Sequence, residues 1–365
     1  MDRQLRVAMT LEQCWHDVPG GTAVAALGAA RSLAGCGIDA VGVAAAHRSP
    51  PPDAWVPPIP VHHLKLPRFA LYESWHRRRR PPVEKATGPV DVVHATTFAI
   101  PPRSAPLVVT VHDLAFVHDP SNFTKHGVAF FTKGFELARK DADLIVCPSQ
   151  ATIDDCIAHG VDPDLLRLVP LGVDVQPASD KGVARVRLTY GLRRPYVLWV
   201  GTVEPRKNLR RLLEGFAEVG RPDLDLILVG PHGWNESLGP LVARSRGQVR
   251  TLGFVPQQDL GPLFAGAETF CFPSLLEGFG FPVLEAMAQG TAVVTSRGTS
   301  TEEIANGAAV LVDPYDPSDI GRGIASILDD ADLAARLGSE GRARAAGYTW
   351  QRSAARLADV YREVG

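Results

Sequence analysis

Long apolar runs, paired cysteines and an excess of either charge are all missing from this chain. No stretch reaches the roughly 18 consecutive apolar residues that a membrane-spanning helix needs. The five cysteines, Cys14, Cys36, Cys147, Cys156 and Cys271, are odd in number and include no Cys-x-x-Cys pair, so neither a disulfide framework nor a zinc site is suggested. A formal net charge of -2 gives no general attraction for nucleic acid, and none is expected as a partner. Met1 to Arg6 lead into an apolar run with an early Glu12, lacking the h-region and cleavage site of an export signal, so a cytoplasmic location is expected. Two further absences narrow the chemistry. No Gly-x-Gly-x-x-Gly follows the first apolar run, where Pro19-Gly-Gly-Thr-Ala-Val24 stands instead, which argues against a dinucleotide-dependent oxidoreductase. The Asp-x-Asp pairs, Asp141-Ala-Asp143 and Asp223-Leu-Asp225, flank strands in helix-to-strand turns, a poor place for a catalytic metal.

What is present is a chain of 365 residues, 45% hydrophobic, long enough for two domains with full cores. Short β-branched runs alternate with helical stretches, as expected of parallel sheets covered by helices on both faces. In the first half Leu5 to Met9, Asp39 to Ala44, Asp91 to His94, Leu107 to His112 and Leu144 to Cys147 read as strands, with helices over Thr22 to Leu33 and Gly127 to Lys140. The pattern restarts at Tyr196 to Gly201 and continues through Leu224 to Val229, Val249 to Leu252, Thr269 to Phe272, Ala292 to Thr295 and Ala309 to Val312. The turn-rich stretch Pro170 to Lys181 between the halves reads as a linker.

The most informative segment is Glu277-Gly-Phe-Gly-Phe-Pro-Val-Leu-Glu-Ala-Met-Ala-Gln-Gly290. Pro282 suits the start of a helix and Gly290 a left-handed stop, so a short helix is predicted between them. Gly278 and Gly280 let the backbone approach a ligand, while unpaired amides and the positive helix end favour an anion such as phosphate. Glu277 and Glu285 then stand on either side of that anion, each able to accept hydrogen bonds from hydroxyl groups. Two sugars joined by a diphosphate have that shape. As alternatives, Glu277 is a charge partner of the helix dipole, and Glu285, set among Val283, Leu284, Ala286 and Met287, is a buried carboxylate in need of a partner. Glycosidase chemistry requires two carboxylates around the scissile bond, and no residue here stands out as a covalent nucleophile.

This segment resembles the Glu-x7-Glu signature of retaining glycosyltransferases of family 4, and the resemblance extends along most of the chain. Gly201-Thr-Val-Glu-Pro-Arg-Lys-Asn208 is similar to the family's donor-diphosphate loop; Pro19-Gly-Gly-Thr22, Val111-His-Asp-Leu114, Cys147-Pro-Ser149, Val169-Pro-Leu-Gly-Val-Asp174 and Phe272-Pro-Ser274 follow in family order. The resemblance implies a GT-B fold: α/β, with two Rossmann-like doubly wound parallel-sheet domains facing across a cleft. The expected division is an acceptor-side domain of residues 1–172 joined by the C-terminal helix 348–365, and a donor-binding domain of residues 173–347. Leu357, Val360 and Tyr361 supply the apolar face of that helix.

The resemblance also implies roles. Arg206 and Lys207 neutralise the leaving diphosphate, the alternative being solvated surface charge; Glu204 shapes their loop. Glu277 meets the donor sugar and Glu285 the ribose. Gly20 and Gly21, with Thr22 as a possible helix cap, approach the phosphate or acceptor, and Leu11 to Val18, with Trp15 and His16, lies over the acceptor. His112, its ring oriented by Asp113, contacts the transferred sugar near its anomeric centre, although a histidine at a strand end is often structural. Gly278, Phe279, Gly280 and Phe281 complete the donor site, and the base lies against Gly230 to His232 and Gly253, Phe254 and Val255. No metal and no cofactor are expected, because two cations and a helix end serve the diphosphate. Chains of this type are similar to mannosyl- and rhamnosyltransferases of surface-polysaccharide assembly, which makes GDP-mannose the first choice of donor and a glycan or lipid-linked glycan the acceptor. UDP-hexose, dTDP-rhamnose and a sugar-nucleotide 2-epimerase are the alternatives, with a binding protein without turnover disfavoured.

Between Val61 and Arg80, Lys65, Arg68 and Arg77 to Arg80 stand against the single Glu73, interleaved with Leu64, Leu66, Phe69, Leu71, Tyr72 and Trp75. The mixture suits either peripheral contact with the inner face of an anionic membrane or a solvated loop.

Overall fold

The computed structural model describes residues 4–174, 176–231, 239, 242 and 248–365. The chain forms two compact units, Met1–Gly172 with Thr349–Gly365, and Val173–Tyr348.

The first unit carries a seven-stranded sheet in the order β3-β2-β1-β4-β5-β6-β7. Its strands are β1 (Leu5–Thr10), β2 (Ile38–Ala44), β3 (Val61–His63), β4 (Val92–Ala95), β5 (Leu107–Thr110), β6 (Leu144–Cys147) and β7 (Leu166–Leu168). The second unit has a six-stranded sheet, β10-β9-β8-β11-β12-β13. These strands are β8 (Tyr196–Val200), β9 (Asp225–Val229), β10 (Val249–Gly253), β11 (Thr269–Phe272), β12 (Val293–Ser296) and β13 (Val310–Val312). Every pairing is parallel. Each sheet is doubly wound, its order reversing between β1 and β4 in the first and between β8 and β11 in the second. This is the GT-B architecture. In such sheets ligands bind beyond the carboxyl ends of the strands at the reversal.

The helices that matter for the site are α1 (Gly20–Leu33), α2 (Arg68–Glu73), α3 (Ala115–His118), α4 (Lys125–Asp141), α5 (Gln150–Ala158), α6 (Leu209–Val219), α7 (Phe281–Gln289), α8 (Ser300–Ala305) and α9 (Trp350–Val364). α9 belongs to the first unit, where Leu357, Val360 and Tyr361 are buried with Met9 and Leu33 on one face of the sheet. Gly28 makes this packing possible, since a Cβ there would lie 2.4 Å from the Trp350 ring. The opposite face packs Leu71, Trp75, Phe98, Phe116 and Phe135.

Several expectations are corrected. Thr22 does not cap α1: the helix starts at Gly20, and the Thr22 hydroxyl donates back to the Pro19 carbonyl at 3.3 Å. The apolar members of the 61–80 stretch do not form a surface patch, because Leu64, Leu71 and Trp75 are core residues. Arg79 is structural too. Its guanidinium donates to the carbonyls of Trp75, Ile100 and Pro101 and pairs with Asp141 at 2.7 Å. The exposed remainder is Lys65, Phe69, Arg77, Arg78 and Arg80, with the Arg68 guanidinium stacked over the Phe69 ring. Three of the four Asp-x-Asp carboxylates are engaged in ion pairs, Asp143 with Arg103, Asp141 with Arg79 and Asp225 with Arg194. No helix among the described residues is long and apolar enough to cross a membrane.

Candidate active site

In the second unit the chain leaves β8, passes Gly201 to Glu204, makes one 3-10 turn over Pro205–Lys207 and enters α6. Asn208 sits at the joint in the left-handed region, with φ 60°. Its buried side-chain amide donates to the Pro273 and Pro314 carbonyls at 2.9 and 2.6 Å, so one side chain ties together the loops after β8, β11 and β13. The Arg206 carbonyl accepts from the Leu275 amide at 2.8 Å, which brings the loop carrying Glu277 alongside.

Four charges meet there. Lys207 Nζ lies 2.5 Å from Glu277 Oε1, Arg206 Nη1 lies 3.0 Å from Glu277 Oε2, and Arg206 Nε lies 2.8 Å from Glu204 Oε1. Side-chain exposure is only 7% for Glu277 and 10% for Lys207. Desolvation on its own would raise the Glu277 carboxyl, but the adjacent Lys207 and Arg206 charges outweigh it and hold the group below the usual carboxylate range. Burial, reinforced by the Arg206 charge, lowers the Lys207 ammonium against the pull of Glu277. Two cations and two carboxylates sum to no net charge, so an arriving diphosphate would have to compete with Glu277 for both cations. The surface-charge alternative does not hold for this pair.

α7 begins as the sequence predicts, with Pro282 in its first turn and Gly290 left-handed at its end, at φ 74°. Its amino end differs in one respect. The Val283 and Leu284 amides turn inward to the Gly280 carbonyl and Pro282 has no N–H, so these three positions offer an anion no amide. Gly280, at φ 105°, is pressed against Thr301, and the Ser300 hydroxyl donates to the Glu277 carbonyl at 2.7 Å, so α8 fixes this turn from behind. Phe279 is buried against Phe281 and Tyr348 and is a packing residue, leaving only its backbone for a ligand. Glu285 is half-buried, and burial pushes its carboxyl up to about 7. No described residue hydrogen-bonds to it or pairs with it.

Val255 is buried, whereas Phe254 is 73% exposed. Gly230, at φ 137°, packs directly on Gly201: a Cβ would fall 1.8 Å from the Gly201 carbonyl oxygen. His232 lies outside the described residues.

In the first unit Gly20 takes φ 64° after Pro19, with Gly21 exposed beside it at the start of α1. His112 follows β5. Its ring is set by the Thr96 carbonyl, 3.1 Å from Nε2, and not by Asp113, whose carboxylate accepts from the Ala115 amide at the head of α3. A bond to a carbonyl places the proton on Nε2 and leaves the Nδ1 lone pair as acceptor. Burial lowers the His112 pKa, with Asp113 and the Thr96 carbonyl opposing, so the ring favours its neutral form. Leu11 to Val18 folds back onto its own unit: Glu12 is buried against His47 and the Ala45 amide, and Trp15 stacks on His47.

Sequence reasoning missed Asn208, the tie of three loops, and Ser300, whereas Glu204, read as shaping the loop, is the buried partner of Arg206. Only the first left a signal, an asparagine between a 3-10 turn and a helix, where a left-handed residue is common.

Residues 19–177 match the model of Glycosyltransferase Family 4, and residues 184–344 that of the Glycosyl transferases group 1. The chain is 32% identical over 281 residues to O-antigen chain mannosyltransferase B of Escherichia coli, covering 74% of each protein. It belongs to glycosyltransferase family 4. Another relative, the MMP alpha-(1->4)-mannosyltransferase of Mycolicibacterium hassiacum, is 32% identical over 62% of this chain and 56% of its own length. Among solved structures, Anabaena Alr3699/HepE in complex with UDP-glucose aligns at a TM-score of 0.78, covering 98% of this chain and all of that one, at 19% identity. WaaG, a glycosyltransferase of lipopolysaccharide biosynthesis, aligns at 0.74 and 18% identity over 97% and 99% of the two chains. Both likenesses concern the fold. The protein is a glycosyltransferase.

Proposed function

We propose that this glycosyltransferase moves a mannosyl residue from GDP-mannose to a hydroxyl of a glycan or lipid-linked glycan, with retention of anomeric configuration and without a divalent ion. The observation that carries the reading is the Glu204–Arg206–Glu277–Lys207 cluster at the reversal of the second sheet. As the bond to the leaving diphosphate breaks, negative charge develops where two fixed, poorly hydrated cations already stand, and such preorganised charge is commonly the largest contribution to barrier lowering. Arg206 and Lys207 turn to the diphosphate, and Glu277, relieved of part of its pairing, accepts from sugar hydroxyls. Glu285, which lacks a described partner, accepts from the ribose diol. His112 offers Nδ1 to a substrate hydroxyl. The acceptor attacks from the face the diphosphate leaves, and the departing phosphate takes its proton. The choice of mannose rests on the names of two relatives at 32% identity, the O-antigen chain mannosyltransferase B and the MMP alpha-(1->4)-mannosyltransferase, a third at that identity being a D-inositol 3-phosphate glycosyltransferase.

Thermal shifts with GDP-mannose, UDP-glucose and dTDP-rhamnose, each with and without EDTA, test the reading. Stabilisation by GDP-mannose alone, unchanged by EDTA, is expected; a different nucleotide replaces the donor, and an EDTA-sensitive shift overturns the metal-free mechanism. An epimer formed from donor alone would move the protein to the 2-epimerases.

The enzyme is placed in the cytoplasm, at the membrane that holds such acceptors. Exposed Lys65, Phe69, Arg77, Arg78 and Arg80 support peripheral contact there. Co-sedimentation with anionic liposomes should fall when Arg77, Arg78 and Arg80 become Ser while Arg79 is kept; unchanged binding removes this part of the proposal.

A further inference from the structure

We infer a second, unrelated site in the first unit: a surface zinc site made by His118, Asp155 and His159. The three residues each offer a ligand atom, and these atoms lie within 4.8 Å of one another. His118 closes α3, whereas Asp155 and His159 stand one turn apart at the end of α5, so the cluster joins two elements separated by a whole strand and helix in sequence. Asp155 is its centre. Its carboxylate lies 2.8 Å from His118 Nε2 and 3.1 Å from His159 Nδ1, and the two rings are nearly perpendicular at 88°, with centroids 5.4 Å apart.

Zinc bonds of about 2.0–2.1 Å place tetrahedral ligand atoms roughly 3.3 Å apart, close to the two spacings already present. The remaining adjustment falls on His118, whose side chain is 43% exposed and able to swing. Two imidazoles and one carboxylate suit zinc or a neighbouring transition metal rather than magnesium or calcium, which prefer oxygen alone. Without metal, a proton bridges His118 Nε2 to the Asp155 carboxylate, while His159 Nδ1 donates to the Asp155 backbone carbonyl at 2.9 Å; zinc displaces both protons and leaves one position for water.

The consequence of such a clip follows from where it lies. α3 is the direct continuation of the His112–Asp113 turn, and Thr152 in the first turn of α5 donates its hydroxyl to the His112 carbonyl at 3.4 Å. Zinc therefore ties together the two elements that flank His112, and stabilises this unit independently of the donor cluster in the other.

The test is zinc binding to full-length protein stripped with EDTA and dialysed, measured by competition with a chromophoric chelator and by metal analysis. One equivalent is expected, with magnesium unable to compete, and a rise in Tm on zinc addition. His118→Ala and His159→Ala should each weaken binding at least ~10-fold, the loss that even outlying changes around metal sites produce. Both are surface changes, and circular dichroism and the metal-free Tm check that the variants fold. One equivalent retained at unchanged affinity by the double variant, or no zinc retained by the wild type, overturns the site. Nucleotide-sugar binding in EDTA is read separately, so failure here leaves the donor reading standing, and the reverse.

Discussion

Lys207→Ala separates charge stabilisation from simple packing more sharply than any other change. The ammonium is 2.5 Å from Glu277 Oε1 and 5.1 Å from the Phe272 ring centroid, and only 10% exposed. Two costs follow from its removal. Breaking a buried ion pair typically costs about 3–5 kcal/mol, and the lower end applies because Arg206 remains 3.0 Å from the other Glu277 oxygen. For a unit of this size about 3 kcal/mol lowers Tm by roughly 6–12 °C, still leaving a folded protein at 25 °C. The catalytic cost is distinct. Removing one preorganised donor to developing negative charge lowers kcat by about 100- to 1,000-fold, equivalent to roughly 2.7–4 kcal/mol. Release of nucleoside diphosphate at saturating donor gives kcat, and a melting curve in the same buffer gives the folded fraction. A variant that is folded at 25 °C and turns over within about threefold of wild type refutes the leaving-group role of Lys207.

Three further outcomes are expected. Burial raises Glu285 to about 7 from an ordinary 4.5, so its stabilising contribution is complete below about pH 4.5 and is lost as pH rises through 7, up to roughly 3 kcal/mol. Glu285→Gln should thus raise Tm relative to wild type at pH 8 but not at pH 5; donor affinity, which needs the carboxylate to accept ribose hydroxyls, should rise with pH in the wild type and be flat in the variant. Equal Tm differences at the two pH values contradict the assignment. Gly230→Ala, whose new Cβ would meet the Gly201 carbonyl oxygen at 1.8 Å, should cost about 3 kcal/mol or more in denaturant unfolding and displace the Arg206 loop; a near-neutral result would mean that the two backbones can part. Asn208→Ala should be less stable than Asn208→Gly by about 1 kcal/mol, because both lose the bonds to Pro273 and Pro314 but only alanine is strained at φ 60°; the reverse order in urea melts removes the left-handed argument.

The central strands were legible because each is a short, nearly continuous apolar run, as buried parallel strands must be. β3 and β7 were not: Val61–His63 and Leu166–Leu168 are three-residue edge strands whose pairing is set by register against β2 and β6, not by composition. Interleaved aromatics and arginines around Trp75 suggested a surface, yet a π-helical turn over Ser74–Arg78 puts Trp75 inside and sends Arg79 to Asp141. Asp113 looked like the orienter of His112 because it is adjacent, but adjacent side chains diverge, and the Thr96 carbonyl from the neighbouring strand end does that work.

Residue order by itself determined two doubly wound sheets, the stop and start of the helix between Pro282 and Gly290, and the set of charged groups at the donor loop, because periodicity, turn chemistry and local motifs are short-range properties. Only the folded chain decided which charges meet. Glu204, Arg206, Lys207 and Glu277 share one desolvated cluster, Glu285 stands without a described partner, and His118 reaches Asp155 and His159, since pairing across strand ends depends on sheet order and register, which no local stretch of sequence contains.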